Sequence, residues 1–174
     1  MKNILWVLFI SLAAYSFYQG SIVAGSAPEH YQLIKAESAD SSLGRAMFRA
    51  WEKIPYGHGT LLTVVQRNTH TDYFFILTYT LLLLLCSYLQ MQNETYLPLN
   101  SLLRLNILLA LVIASLDITE NIKILYNIRH LHDAGLYCSP YIVSTIKWLL
   151  SGWAVLIYLI SLTRSALFSR RRLA

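Results

Sequence analysis

The chain's densest chemistry lies in Asp117-Ile118-Thr119-Glu120-Asn121. At about 100° per helical residue, the i, i+3, i+4 spacing brings Asp117, Glu120 and Asn121 within an arc of about 100°. One helix face thus offers two carboxylates and an amide to a neighbour. Such a set can hold a polar headgroup, or act as general acid and base on a substrate placed between the carboxylates. Lys147 is the base that depth matches to them. At ~1.5 Å of rise per residue, Asp117 lies about 15 Å and Glu120 about 10 Å below the outer end of their helix near Tyr126. On the returning helix Lys147 lies about 9 Å below Tyr141, opposite Glu120. Asp72 near the surface and Tyr79 about 10 Å deeper complete the layer from another helix. Tyr15, Ser16 and Gln19 add polar groups from the first helix, and Ser144 and Ser151 from the last.

The elements that must position these groups are read from where charge is missing. Of 174 residues, 56% are hydrophobic and 13% charged, about half the charge of a soluble domain. No charged residue lies between Lys2 and Glu29, Asp72 and Glu94, Arg104 and Asp117, or Lys147 and Arg164. Four such blocks are written for lipid. The expected fold is all-α, a four-transmembrane-helix antiparallel bundle forming one membrane domain over residues 1–174. The spans fall at about 4–25, 72–91, 102–126 and 142–164. Pro28, Pro55, Pro98 and Pro140 all fall outside them, as regular helices require. The first run has features of a signal peptide, with Lys2 before it and Gly25, Ser26 and Ala27 after it. Its length, and Pro28 beside the cleavage point, favour retention as a span.

Four spans put both termini on one side. The terminal Arg170, Arg171 and Arg172 assign that side to the cytoplasm of a bacterial inner membrane. The net charge of +5 is therefore a topology signal and not a nucleic-acid footprint. The outer loop, about 26–71, contains an amphipathic stretch over about 42–54. There Leu43, Met47, Ala50, Trp51 and Ile54 oppose Arg45, Arg49, Glu52 and Lys53. It is expected to be an interfacial helix, either anchoring the loop or covering the bundle as a lid. By contrast the inner halves of the spans read as nearly bare of polar groups.

Other signals are weaker. Cys86 and Cys138 form no CxxC or zinc spacing and fall at opposite ends of the bundle. His30, His58, His70, His130 and His132 lie in outward loops without a defined metal spacing, so neither metal nor cofactor is expected. Asn93-Glu94-Thr95 is a glycosylation sequon in a short loop, read as a chance match. Gly20-x-x-x-Ala24 and Ala110-x-x-x-Ala114 allow close helix approach, within the chain or in a homo-oligomer.

The positions Asp72, Asp117, Glu120, Asn121 and Lys147 resemble those of uncharacterised small bacterial four-helix integral membrane proteins with a D-x-x-E-N motif in the third helix. The resemblance covers about half the chain and implies a fold and a shared polar site, not an activity. Three functions remain open. The first is binding of a lipid-like or small amphiphilic ligand, or a partner membrane subunit, at Asp72, Tyr79, Asp117, Glu120, Asn121 and Lys147. The second is an intramembrane enzyme with Glu120 or Asp117 as general acid/base and Lys147 stabilising negative charge. No GxSxG, metal or nucleotide motif supports it. The third is a helix clamp or assembly factor in which Lys147 simply joins two helices, with no ligand.

Overall fold

The structure, a computed structural model, describes residues 6–12, 14, 15, 18, 41–133 and 137–170. Among these the chain is mostly helical. Its elements are α1 (Ser41–Lys53), β1 (Pro55–Tyr56), β2 (Gly59–Thr60), α2 (Leu61–Asn93), α3 (Leu97–Arg129) and α4 (Tyr141–Arg170). Residues 6–12, 14, 15 and 18 are also helical.

Three helices, α2, α3 and most of α4, are long and apolar enough to cross a membrane. Their surfaces fit lipid better than water. Phe74, Leu77, Leu108, Leu111, Trp148, Leu149 and Leu156 are exposed, while Asn106, Asp117, Glu120, Asn121, Lys147 and Ser161 are buried. In water that distribution would be ruinous. In lipid it is required, because apolar side chains gain nothing by hiding from hydrocarbon and polar ones must pair.

The rest of the first span, with Ser16, Gln19, Gly20 and Ala24, lies outside the described residues. Its described part touches α2. The Tyr15 ring stacks on Phe75 at 5.1 Å, and its hydroxyl lies 3.3 Å from Thr71 Oγ1.

The helices outrun the apolar blocks that announced them. α2 starts at Leu61 and not near 72, and has 33 residues. That is about 50 Å, against a hydrocarbon core of about 30 Å. The added residues fold because Leu61, Leu62 and Val65 have somewhere to pack. They form a core with Phe48, Trp51, Ile124 and Leu131. A two-stranded hairpin sets the entry to α2, pairing Pro55 with Thr60 and Tyr56 with Gly59. Gly57 takes φ +56 in its turn, a conformation glycine adopts at little cost. Thr63 Oγ1 accepts from Thr60 N–H at 3.2 Å and donates to Thr60 C=O at 2.6 Å, fixing the first turn.

α1 occupies 41–53, close to the expected stretch, but its buried face is rotated. Phe48 and Trp51 are 1% and 2% exposed, whereas Leu43 is 54% exposed and Ala50 is also outward. The sequence pattern alone puts Leu43 and Ala50 on the apolar face. The bulk of Phe48 against the ends of α2 and α3 decided the rotation instead.

The α2–α3 turn is tighter than expected, with 94–96 joining the two helices. Pro98 lies in the first turn of α3, where its missing N–H is no loss. Contacts run in opposite order along successive helices: Asp72 with Asn121 and Tyr79 with Asp117 between α2 and α3, Lys147 with Asp117 and Asn106 Nδ2 with Ala154 C=O between α3 and α4. Hence α2, α3 and α4 alternate in direction. Beyond α3, Asn127 holds the returning chain: its Nδ2 donates to Cys138 C=O at 2.9 Å, and its Oδ1 accepts from Cys138 N–H at 2.8 Å.

Candidate functional site

The six residues singled out by spacing come together between α2, α3 and α4. Lys147 reaches from α4 to α3, with Nζ 2.9 Å from Asp117 Oδ1 and 2.5 Å from Glu120 Oε2. Tyr79 donates from α2 to Asp117 Oδ2 at 2.9 Å. Asn121 donates its Nδ2 to Asp72 Oδ2 at 2.9 Å, closing the outer edge. Lys147 Nζ also lies 5.3 Å from the Trp148 ring centroid, within cation–π range.

The helical period explains the convergence. Asp117, Glu120 and Asn121 share one face of α3, and buried Ile113 and Ile124 continue it. Lys147 follows Ser144 and precedes Ala154 on the inward stripe of α4. Lys123, the other nearby base, turns away and donates to Ser139 C=O at 3.1 Å.

Charge balance is the site's distinguishing property. Three acids, Asp72, Asp117 and Glu120, face one base, Lys147. A buried ion costs several kcal/mol of desolvation before its partner offsets it. One ammonium can serve two carboxylates only in part. The shortfall falls on Glu120, whose residue is 1% exposed. Its Oε2 meets Lys147, but its Oε1 is buried with no hydrogen-bond donor among the described residues. A buried polar atom without a partner costs about 1–3 kcal/mol, more if charged. Access is graded: Asp72 is half-buried, the Asp117 and Lys147 side chains are each 11% exposed, and Glu120 is enclosed.

A second polar network occupies the end of the bundle at the α2–α3 turn, in the half expected to be nearly bare of polar groups. Glu94, just past α2, pairs with Arg164 of α4 and accepts from Ser161 Oγ at 2.7 Å and Tyr96 N–H at 2.9 Å. Gln90 donates to Ser161 Oγ at 3.0 Å and Ser165 Oγ at 2.8 Å. The Arg164 guanidinium stacks over Tyr96 at 4.7 Å. Burial alone would push the Glu94 carboxyl up, but the donors Ser161 and Tyr96 and the Arg164 charge outweigh it and hold it below the usual carboxylate range. The signal was present in the sequence: one acid in the inner turn, one base ending the last apolar block, and Ser161 and Ser165 one helical turn apart. Read only as flanking charges, they did not suggest a network.

The remaining candidates stay separate. His132 meets Glu52 at 3.0 Å on the surface, and His130 stacks on Tyr126 at 4.2 Å. His58 and His70 are exposed, and His30 lies outside the described residues. Among the described residues no group of three metal-ligating side chains occurs. Cys86 and Cys138 are free thiols. Asn93, in the sequon, donates to Leu89 C=O at 3.1 Å. Comparison with family models, with curated proteins and with solved structures gives no match for the chain.

Proposed function

We propose that the chain is a four-crossing protein of a bacterial inner membrane that binds a lipid-like or small amphiphilic ligand in the outer half of its bundle. The first span is the fourth crossing, both termini are cytoplasmic, and α1 lies at the outer headgroup level. The observation that carries the binding reading is the unpartnered Oε1 of Glu120, set in a layer with three acids and one base. A pure structural pair would close its own hydrogen bonds, as the Glu94–Arg164 network does. An amine or hydroxyl headgroup arriving past Asp72 and Asp117 supplies the missing donor at Glu120 Oε1, while Lys147 keeps its place on Oε2. The acyl part of such a ligand rests against the apolar exterior of the bundle.

Purification in lipid nanodiscs followed by native mass spectrometry tests this. The wild type retains an amphiphilic adduct, and Glu120→Gln loses it with unchanged helix content. Equal retention by Glu120→Gln and Asp117→Asn overturns the reading.

One observation favours a second reading, a helix clamp without ligand. Lys147 already touches both Asp117 and Glu120. Exchange of Glu120 and Lys147 separates the two. A clamp regains both folding and cellular function with the charges swapped. A binding site regains folding only.

A further inference from the structure

The outer cap has a face unused by the polar site. α1 turns Phe48 and Trp51 into the core. On the other side, Arg45, Arg49 and Lys53 follow one another every four residues. They span about 80° of arc and about 12 Å of helix. Ala46 and Ala50 beside them are too small to fill the space. A shallow groove results, lined by Ser42, Arg45, Ala46, Arg49, Ala50 and Lys53. The acid of α1, Glu52, lies beside the stripe and meets His132 at 3.0 Å, so the face carries three cations against one carboxylate.

The groove's level follows from what α1 rests on. Toward the outer end, the exposed apolar belt of the bundle stops at Phe74, Ile122 and Tyr141. α1 packs on Leu61, Leu62, Val65, Ile124 and Leu131, at and beyond that limit. A cationic stripe just outside the hydrocarbon meets lipid phosphates, the densest anions at that depth.

We infer that the Arg45–Arg49–Lys53 groove of α1 binds the phosphate groups of anionic phospholipids in the outer leaflet. The inference rests on the proposed placement of α1 at the headgroup level. The apolar floor at Ala46 and Ala50 suits the glycerol end of such a lipid, and the three cations set its charge preference. Attraction of this kind gives about fivefold per cation at low salt, hence roughly a hundredfold for three, and fades as salt rises.

The full chain, reconstituted with mixed phosphatidylcholine and phosphatidylglycerol, provides the test. Native mass spectrometry compares phosphatidylglycerol retention by the wild type and by Arg45→Gln/Arg49→Gln/Lys53→Gln. A nitroxide at Ala50→Cys, with Cys86 and Cys138 replaced by alanine, reports depth separately. Headgroup depth with salt-sensitive phosphatidylglycerol retention, lost in the triple variant, is the expected result. Headgroup depth with equal retention by the triple variant overturns the inference and leaves the placement of α1 standing. A label in bulk water overturns both.

Discussion

Replacing Lys147 by methionine isolates the outer cluster. The substitution keeps the length of the side chain's apolar stem and removes the base that Asp117 and Glu120 share. Both acids are nearly enclosed, with side chains 11% and 1% exposed. Breaking a buried pair by removing one partner costs about 3–5 kcal/mol, because a charge is left behind. Ordinary hydrogen bonds between membrane helices average only about 0.6 kcal/mol. The expected loss is thus several times the average interhelical hydrogen bond.

The two acids then respond differently. Asp117 keeps the Tyr79 hydroxyl at 2.9 Å after Lys147 is gone. Glu120 keeps nothing, since its Oε1 had no donor to begin with. Adding Glu120→Gln to Lys147→Met therefore restores most of the lost stability, and adding Asp117→Asn restores less. Reversible unfolding in mixed micelles, followed by far-ultraviolet circular dichroism, measures each variant. A loss below about 1 kcal/mol for Lys147→Met, or a better rescue by Asp117→Asn, refutes the reasoning.

The inner network gives a pH prediction. Glu94 has a carboxyl held below its ordinary value of 4.5 when folded, so its ionised form stabilises the fold above that pH. This contribution is lost as pH falls through 4.5 toward the lowered folded value. Glu94→Gln flattens that acid limb in unfolding experiments, and an unchanged limb counts against the assignment. Trp51→Ala empties a site only 2% exposed in the outer core, and is expected to cost about 3–5 kcal/mol. Hydrogen exchange then rises first across α1 and the hairpin, whereas uniform acceleration would show that the cap is not a separate unit. Asn127→Ala strips two hydrogen bonds from Cys138, at about 1–3 kcal/mol. Faster thiol labelling of Cys138 relative to Cys86 is the readout.

Much of the outer cluster was legible because helical spacing and membrane depth are nearly rigid rulers. Asp117, Glu120 and Asn121 had to share a face, and Lys147 had to reach their depth on the returning helix. What could not be read was whether the carboxylate oxygens would all find donors, since that depends on ångström-level placement. α1 shows another limit. Its period announced a helix, but Leu43 and Phe48 compete for the inward position, and only the shape of the α2–α3 end settles the rotation. The extra turns of α2 were hidden for a related reason. Thr63, Gln66, Arg67 and Asn68 look like loop composition until the α1 core gives Leu61, Leu62 and Val65 something to bury against. Glu94 and Arg164 were visible as charges, but flanking charges satisfy topology rules alone and so called for no partner.

Helix α4 presents the two networks with a common constraint. Lys147 and Arg164 lie seventeen residues apart, about 25 Å along the axis. Each meets an acid from the α2–α3 hairpin. Lipid offers no hydrophobic force to press helices together, so such polar contacts carry much of the register. Sliding α4 by one turn would break both at once. The inner network is closed: one acid, one base, and donors on both carboxylate oxygens. The Lys147 cluster is not matched in this way. It holds three acids for one base and leaves Glu120 Oε1 without a donor. On the proposed function that open oxygen is where a ligand's donor would go, and Glu94, with donors on both of its oxygens, offers no such place.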